Sequence, residues 1–233
     1  MKKMLLLVGM GFLLFSCNSD GTSSSEKNGQ NTSRKGKDLN CKALEQLKDD
    51  YSGLLTKEEM ASVYPIDFEN AKEKLRSGSY GEYIFYWPSD RPQLNLEVVG
   101  KKLKIADNNA IGIKNFSYSD SDIDLKSLTE TFNMAYKELS EEELERINKN
   151  LAKQSEEIKS TGQDMMKVRA KSSWEFIDGL GTSAWYKWNE NYGGEMAVMA
   201  GKAQFYIIIK ISADPKENRD LARKLAEKVI SKC

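Results

Sequence analysis

The chain has 233 residues, with 35 Lys and Arg matched by 35 Asp and Glu, so it lacks the basic excess that draws proteins to nucleic acid. It contains no histidine, which excludes Ser-His-Asp and Cys-His nucleophile systems and His-based zinc sites. No nucleic-acid partner and no cofactor are expected.

The first element is a leader. Met1-Lys2-Lys3 is basic, and Met4 to Phe15 is an apolar run, shorter than the ~20 residues a membrane-spanning helix needs. This is the layout of a signal peptide. Its end, Leu14-Phe15-Ser16-Cys17, resembles the lipobox of bacterial lipoproteins: Leu, a variable residue, a small residue, then Cys. Phe15 is bulkier than the family's usual residue there. In that family the Cys thiol is diacylated, the chain is cut before it, and the new amine is acylated. Carried over, the resemblance implies a signal peptide over 1–16 and a palmitate-type anchor on Cys17. It also implies a place in the bacterial cell envelope, held to a membrane through lipid, at the outer membrane on its periplasmic or surface face. Several acyl chains make a stable anchor where one holds only marginally. The alternative is an ordinary secreted protein with an incidental cysteine. Loss of Lys2 and Lys3 with the leader leaves a net charge of −2.

Residues 17–40 are rich in Ser, Asn, Gly and Lys, with Leu39 the one large aliphatic. Such a segment buries too little apolar surface to offset its ordering entropy, and reads as a lipidated flexible tether. The remaining residues, 41–233, suffice for one core or two small lobes. Cys41 opens this region and Cys233 closes the chain. In an oxidising envelope the pair predicts a disulfide, of about 5 kcal/mol as an upper figure from chain entropy. The alternative is two free buried thiols. Two cysteines cannot form a structural zinc site.

Leu44, Leu47, Tyr51, Leu54 and Leu55 recur with helical spacing. Thr56 with Glu59 is a capping-box pair opening a short helix that ends before Pro65. A further helix is expected from Asp67 to Leu75. Tyr83, Phe85 and Trp87 then alternate with Ile84 and Tyr86, predicting a strand buried on both faces. Leu94, Leu96 and Val98 read as a half-exposed strand, Gly100-Lys101 as a tight hairpin turn, and Leu103 and Ile105 as its return. "AIGIKNFSYS" is one more strand. The alternating acids of Asp120–Asp124 lack the Gly and distal Glu of a calcium loop and read as a solvated turn.

Ser127 with Glu130 is read as the start of a helix carrying Leu128, Phe132, Ala135 and Leu139. Ser140 with Glu143 caps another, highly charged helix with a thin stripe of Leu144, Ile147, Leu151 and Ile158. The last quarter predicts three or four strands turning at Gly193-Gly194 and Gly201-Lys202. Phe205, Ile207, Ile209 and Ile211 share one face. Asp214, Pro215 and Glu217 open a final helix with an apolar stripe of Leu221, Ala222, Leu225, Val229 and Ile230. Trp87 precedes Gly100-Lys101 at the spacing that separates Trp188 from Gly201-Lys202. The expected fold class is α+β: an antiparallel sheet flanked by helices, with two similar helix–hairpin–helix halves sharing one sheet.

Trp174, Trp185, Tyr186, Trp188 and Tyr192 form an aromatic set. Such rings either fill the core or, exposed, stack on sugars and peptide side chains. Trp185, Trp188 and Tyr192 are the candidate ligand contacts. Glu175, Asp178, Glu190 and Glu195 lie near them, but nothing in their spacing demands the paired carboxyls of a glycosidase. Gly179 to Ser183 lacks the Lys and following helix of a phosphate loop and reads as a turn.

"LLTKEEMASVY", an aromatic strand, "GLGTSAWY", the hairpin through "AGKAQFYIIIKIS" and "DLARKLAEKVISKC" occur in an order that resembles secreted bacterial lipoproteins with an α/β/α sandwich similar to the PsbP-like extrinsic proteins of photosystem II. That resemblance implies an antiparallel sheet between helices and a non-catalytic binding or accessory role, and brings no site residues. The expectation is therefore a lipid-anchored envelope protein, not an enzyme, that binds a protein or small ligand or supports an envelope complex. The alternative is a surface lipoprotein that binds or processes carbohydrate on its aromatics. Ligand identity and oligomeric state are not encoded in any recognisable motif.

Overall fold

The computed structural model describes residues 39–78, 80–98, 101–152 and 173–233. The expected leader, Cys17, the expected tether up to residue 38, Gly100 and Ile158 lie outside the described residues.

Three short helices open the domain: α1 (Lys42–Glu45), α2 (Tyr51–Leu54) and α3 (Lys57–Val63). The expected first helix is split in two because the Asp50 side chain caps the second turn, accepting from the Gly53 amide at 2.8 Å. The capping box of Thr56 and Glu59 is present on α3. The helix expected over Asp67 to Leu75 does not form. Asp67 instead closes a tight turn, accepting from the Glu69 amide and the Asn70 side chain. The chain then enters strand β1 (Lys72–Arg76), exposed along its length. Phe68, Ala71 and Leu75 fall at helical spacing, but Phe68 and Ala71 pack on the core ahead of the strand, and the alternating Lys72, Lys74 and Arg76 suit a sheet edge guarded against further pairing.

β1 pairs with β2 (Glu82–Pro88), and β2 with β5 (Asn108–Tyr118). The intervening β3 (Leu94–Val98) and β4 (Lys101–Ile105) form a separate two-stranded ribbon. After α4 (Leu125–Tyr136) and α5 (Glu141–Leu151) come β6 (Glu175–Phe176), β7 (Ser183–Asn189), β8 (Gly193–Ala200) and β9 (Ala203–Lys210), then α6 (Pro215–Ile230). The seven-stranded antiparallel sheet runs β1-β2-β5-β9-β8-β7-β6. Two meanders thus meet along their last strands. α4 begins three residues earlier than expected, because Asp124, not Ser127, is its cap. The capping box of Ser140 opens α5, and Asp214 with Pro215 opens α6.

The period of two along each strand makes rows across the sheet. Tyr83, Ile113, Ile207, Met196 and Tyr186 form one such row. With Phe85, Ile111, Ile209 and Phe205 they build the main core, against Leu221, Ala222, Leu225 and Val229 of α6 and Leu44, Tyr51, Leu54 and Met60 from the opening helices. A second, smaller cluster lies on the other face, where Phe132 of α4 packs on Ala197 and Met199. Two glycines are dictated by close approach. A Cβ on Gly112 would stand 2.1 Å from the Tyr83 carbonyl oxygen, where β5 crosses β2. Gly201, at φ +55°, turns the two-residue hairpin between β8 and β9, with the Leu39 carbonyl 2.4 Å from where a Cβ would sit.

Cys41 and Cys233 are joined by a disulfide with an S–S length of 2.04 Å. Beside it, the Lys232 ammonium donates to the carbonyls of Gly53 and Leu54 and pairs with Glu59 at 2.7 Å. The C-terminus is thereby fastened to the opening helices.

Candidate functional site

The second face of the sheet is covered unevenly. Its β7–β8 end lies under α4: Phe132 and Tyr136 pack with Trp174, Trp185 and Tyr206. The Asn133 side chain carbonyl accepts from the Trp185 indole N–H at 2.9 Å and from the Ser183 hydroxyl at 2.6 Å. Trp185 is therefore committed to holding α4 on the sheet. It shares this face with Lys187 two residues on, whereas Trp188, three residues on, projects to the other face and packs against the main core.

The other part of this face holds a cleft of about 510 Å³, within the ~300–1,000 Å³ of small-ligand sites. Its lining includes Ile84 and Ile208, which stand on either side of Gly112 in one cross-strand row. That row continues to Glu195 of β8 and Lys187 of β7. The adjacent row brings Arg76, Glu82 and Lys114 together. Each carboxylate sits between two cations. Glu82 pairs with Lys74 and Arg76 at 3.0 Å. Glu195 pairs with Lys114 and Lys187 at 2.7 Å. Burial works to raise the Glu195 pKa, but the hydrogen bonds and charges of the two lysines outweigh it, and the carboxyl is held below its ordinary range. Lys114, Lys187, Glu82 and Glu195 line the cleft and balance in charge, while Lys74 and Arg76 of β1 pair with Glu82 from outside the lining.

Trp188 and Tyr192 stand on its rim. Tyr192 is 74% exposed. Its turn is fixed from within: the Asn189 side chain accepts from the amides of Asn191 and Tyr192. Beneath it the buried Lys210 donates to the Asn191 carbonyl at 2.8 Å and pairs with Asp107 at 2.6 Å. Asp107 is also held by Arg91 at 2.9 Å. Burial again opposes ionisation of Asp107, and the two cations overcome it, leaving the carboxyl below its usual range.

Of the three expected ligand contacts, the structure brings Trp188 and Tyr192 to one cleft and puts Trp185 elsewhere. The carboxylates do not converge. Glu175 stands opposite Tyr186 and Glu195 opposite Lys187, so they occupy different faces. Glu175 pairs with Arg219 at 2.6 Å, and Glu190 lies exposed in the turn. Gly179 to Ser183 is the expected turn into β7, with positive φ at Gly179 and Gly181. The sequence reading missed Glu82, Lys114 and Lys187. Their signal was lone charges inside otherwise apolar strands, but only the register aligns them. Among the described residues no group of three or more His, Cys, Asp or Glu could hold a metal. No described helix is long and apolar enough to cross a membrane.

Comparison with protein-family models, curated proteins and solved structures finds no match to this chain.

Proposed function

We propose that this is a lipid-anchored protein of the bacterial cell envelope, acylated on Cys17, whose α+β domain stands off the membrane on the 17–40 tether and binds a ligand without catalysis. The observation that carries the binding role is the cleft on the open part of the sheet's second face, rimmed by Trp188 and Tyr192 and lined by fixed charges. Its carboxylates support binding over hydrolysis. A glycosidase acid needs a raised pKa, whereas the Glu195 carboxyl is lowered by two lysines. The Cys41–Cys233 bridge supports an oxidising compartment. The two meanders, each followed by a helix with an Asp cap, support a reading of the sheet as two similar halves. The hairpins spaced from Trp87 and Trp188 are not equivalent parts of them: one is the separate ribbon and the other lies in the main sheet.

Labelling cells with radioactive palmitate tests the anchor. The intact protein is expected to carry label and sediment with membranes, and the Cys17→Ala protein to lose both. Unlabelled wild type, or a Cys17→Ala protein that stays membrane-bound, ends the anchoring assignment. Iodide quenching tests the open cleft. The emission lost on Trp188→Phe substitution should be the quenchable part; a fully protected Trp188 would remove the cleft as a site.

A further inference from the structure

A second cleft, of about 450 Å³, opens at the β6–β7 edge of the sheet, lined by Trp174, Tyr186, Lys187, Trp188, Lys216 and Arg219, among others. It shares Ser173, Lys187 and Trp188 with the first. We propose that the two clefts form one trough for an acidic oligosaccharide, running around the β7 edge from one face of the sheet to the other with Ser173, Lys187 and Trp188 at their junction; this assignment rests on the binding role of the first cleft.

Charge is the first argument. Lys114, Lys187, Lys216 and Arg219 line the trough, and Lys74 and Arg76 border it on Glu82. Against the four lining cations stand Glu82, Glu175 and Glu195, so the lining carries a net charge of +1 on a chain with none overall. All three carboxylates already lie within 3.0 Å of a cation. Lys216 has no ion pair among the described residues and is available to an incoming acid.

Ring placement is the second. Trp174, Trp188 and Tyr192 are interleaved with the cations: the Lys187 ammonium sits 4.5 Å from the centre of the Trp174 ring while it holds Glu195. A sugar ring offers an apolar C–H face to such side chains, and an acidic sugar adds a carboxylate or sulfate at its rim. Ring and acid together match the alternation of aromatic and cation. A neutral sugar leaves the cations unused. The trough is lined mainly by side chains.

The test titrates the full-length protein in detergent micelles with tetragalacturonate, maltotetraose and tetraglutamate, followed by tryptophan emission and calorimetry. Tetragalacturonate is expected to bind about tenfold more tightly than maltotetraose, and to weaken as salt is raised. Trp188→Ala should weaken it about tenfold, as loss of a central aromatic contact does. Tyr192→Ala and Lys216→Gln change exposed side chains and should fold normally, each weakening binding about threefold. Binding unchanged in both of these places the sugar elsewhere and overturns the proposal. Equal affinity for maltotetraose overturns its acidic part. Tighter binding of tetraglutamate overturns the glycan assignment while leaving the cleft a binding site. No response to any probe overturns the trough, and the palmitate experiment on Cys17 decides the anchor independently.

Discussion

The two faces of one sheet are built to opposite rules. On the first, the row Tyr83, Ile113, Ile207, Met196, Tyr186 is wholly uncharged, and α6 with the opening helices covers it. On the second, the row through Ile84, Gly112, Ile208, Glu195 and Lys187 mixes aliphatic, empty and charged positions, and α4 packs only towards the β7–β8 end. Burial of apolar area is the main stabilising term, at roughly 25 cal/mol per Å². Stability is therefore concentrated on the first face, and the second is free to carry a cleft whose groups are held by charge pairing. Substitutions should separate the faces accordingly.

The largest effect belongs to the first face. Phe205→Ala removes a fully buried ring from the core and should cost about 3–5 kcal/mol in urea unfolding. A loss under 1 kcal/mol would mean that the first face is not the stability centre. Next comes the fastening of the chain ends on the same side. Cys41→Ser with Cys233→Ser should cost about 2–5 kcal/mol, read as a lower thermal midpoint that reducing agent reproduces in the wild type.

On the second face, Asn133→Ala leaves the Trp185 indole and the Ser183 hydroxyl without their shared acceptor. About 1–3 kcal/mol is expected, with a change in tryptophan emission as α4 loosens. Equal emission and stability would show that α4 is held by packing alone.

Glu195 gives a smaller, pH-dependent effect. Its folded pKa is depressed, so its contribution is fully present above the unfolded value of about 4.3. It is lost as pH falls through the lower folded value. Glu195→Gln should therefore lower stability at neutral pH and flatten the acid limb of the stability curve. An unchanged acid limb would show that Lys114 and Lys187 do not stabilise the charge. Smallest is Tyr192→Ala, at a side chain 74% exposed. Stability should stay within about 0.5 kcal/mol of wild type while the cleft loses a wall.

Much of the first face was legible in the chain itself. Phe205, Ile207 and Ile209 alternate, Leu221, Leu225 and Val229 recur at helical spacing, and Gly201-Lys202 falls between them and β8. These are local periods, readable without partners. In the stretch Asp67 to Leu75 the helical spacing of Phe68, Ala71 and Leu75 is overridden by pairing of Lys72–Arg76 with β2. The candidate site was legible only in part. Trp188 and Tyr192 line it, but Trp185, on the same face as Lys187 and Glu195, is covered by α4.

The sequence by itself determined the alternation of the core strands, the caps at Thr56, Ser140 and Asp214, and the pair of cysteines available for a bridge. Each is set by neighbours within a few residues or by residue type. Only the tertiary structure decided that β5 meets β9, that α4 and α6 pack on opposite faces, and that Glu82, Lys114, Glu195 and Lys187 gather beside one cleft. Those residues come from four strands, and a register of one residue more or less would turn each strand's charges onto the apolar face.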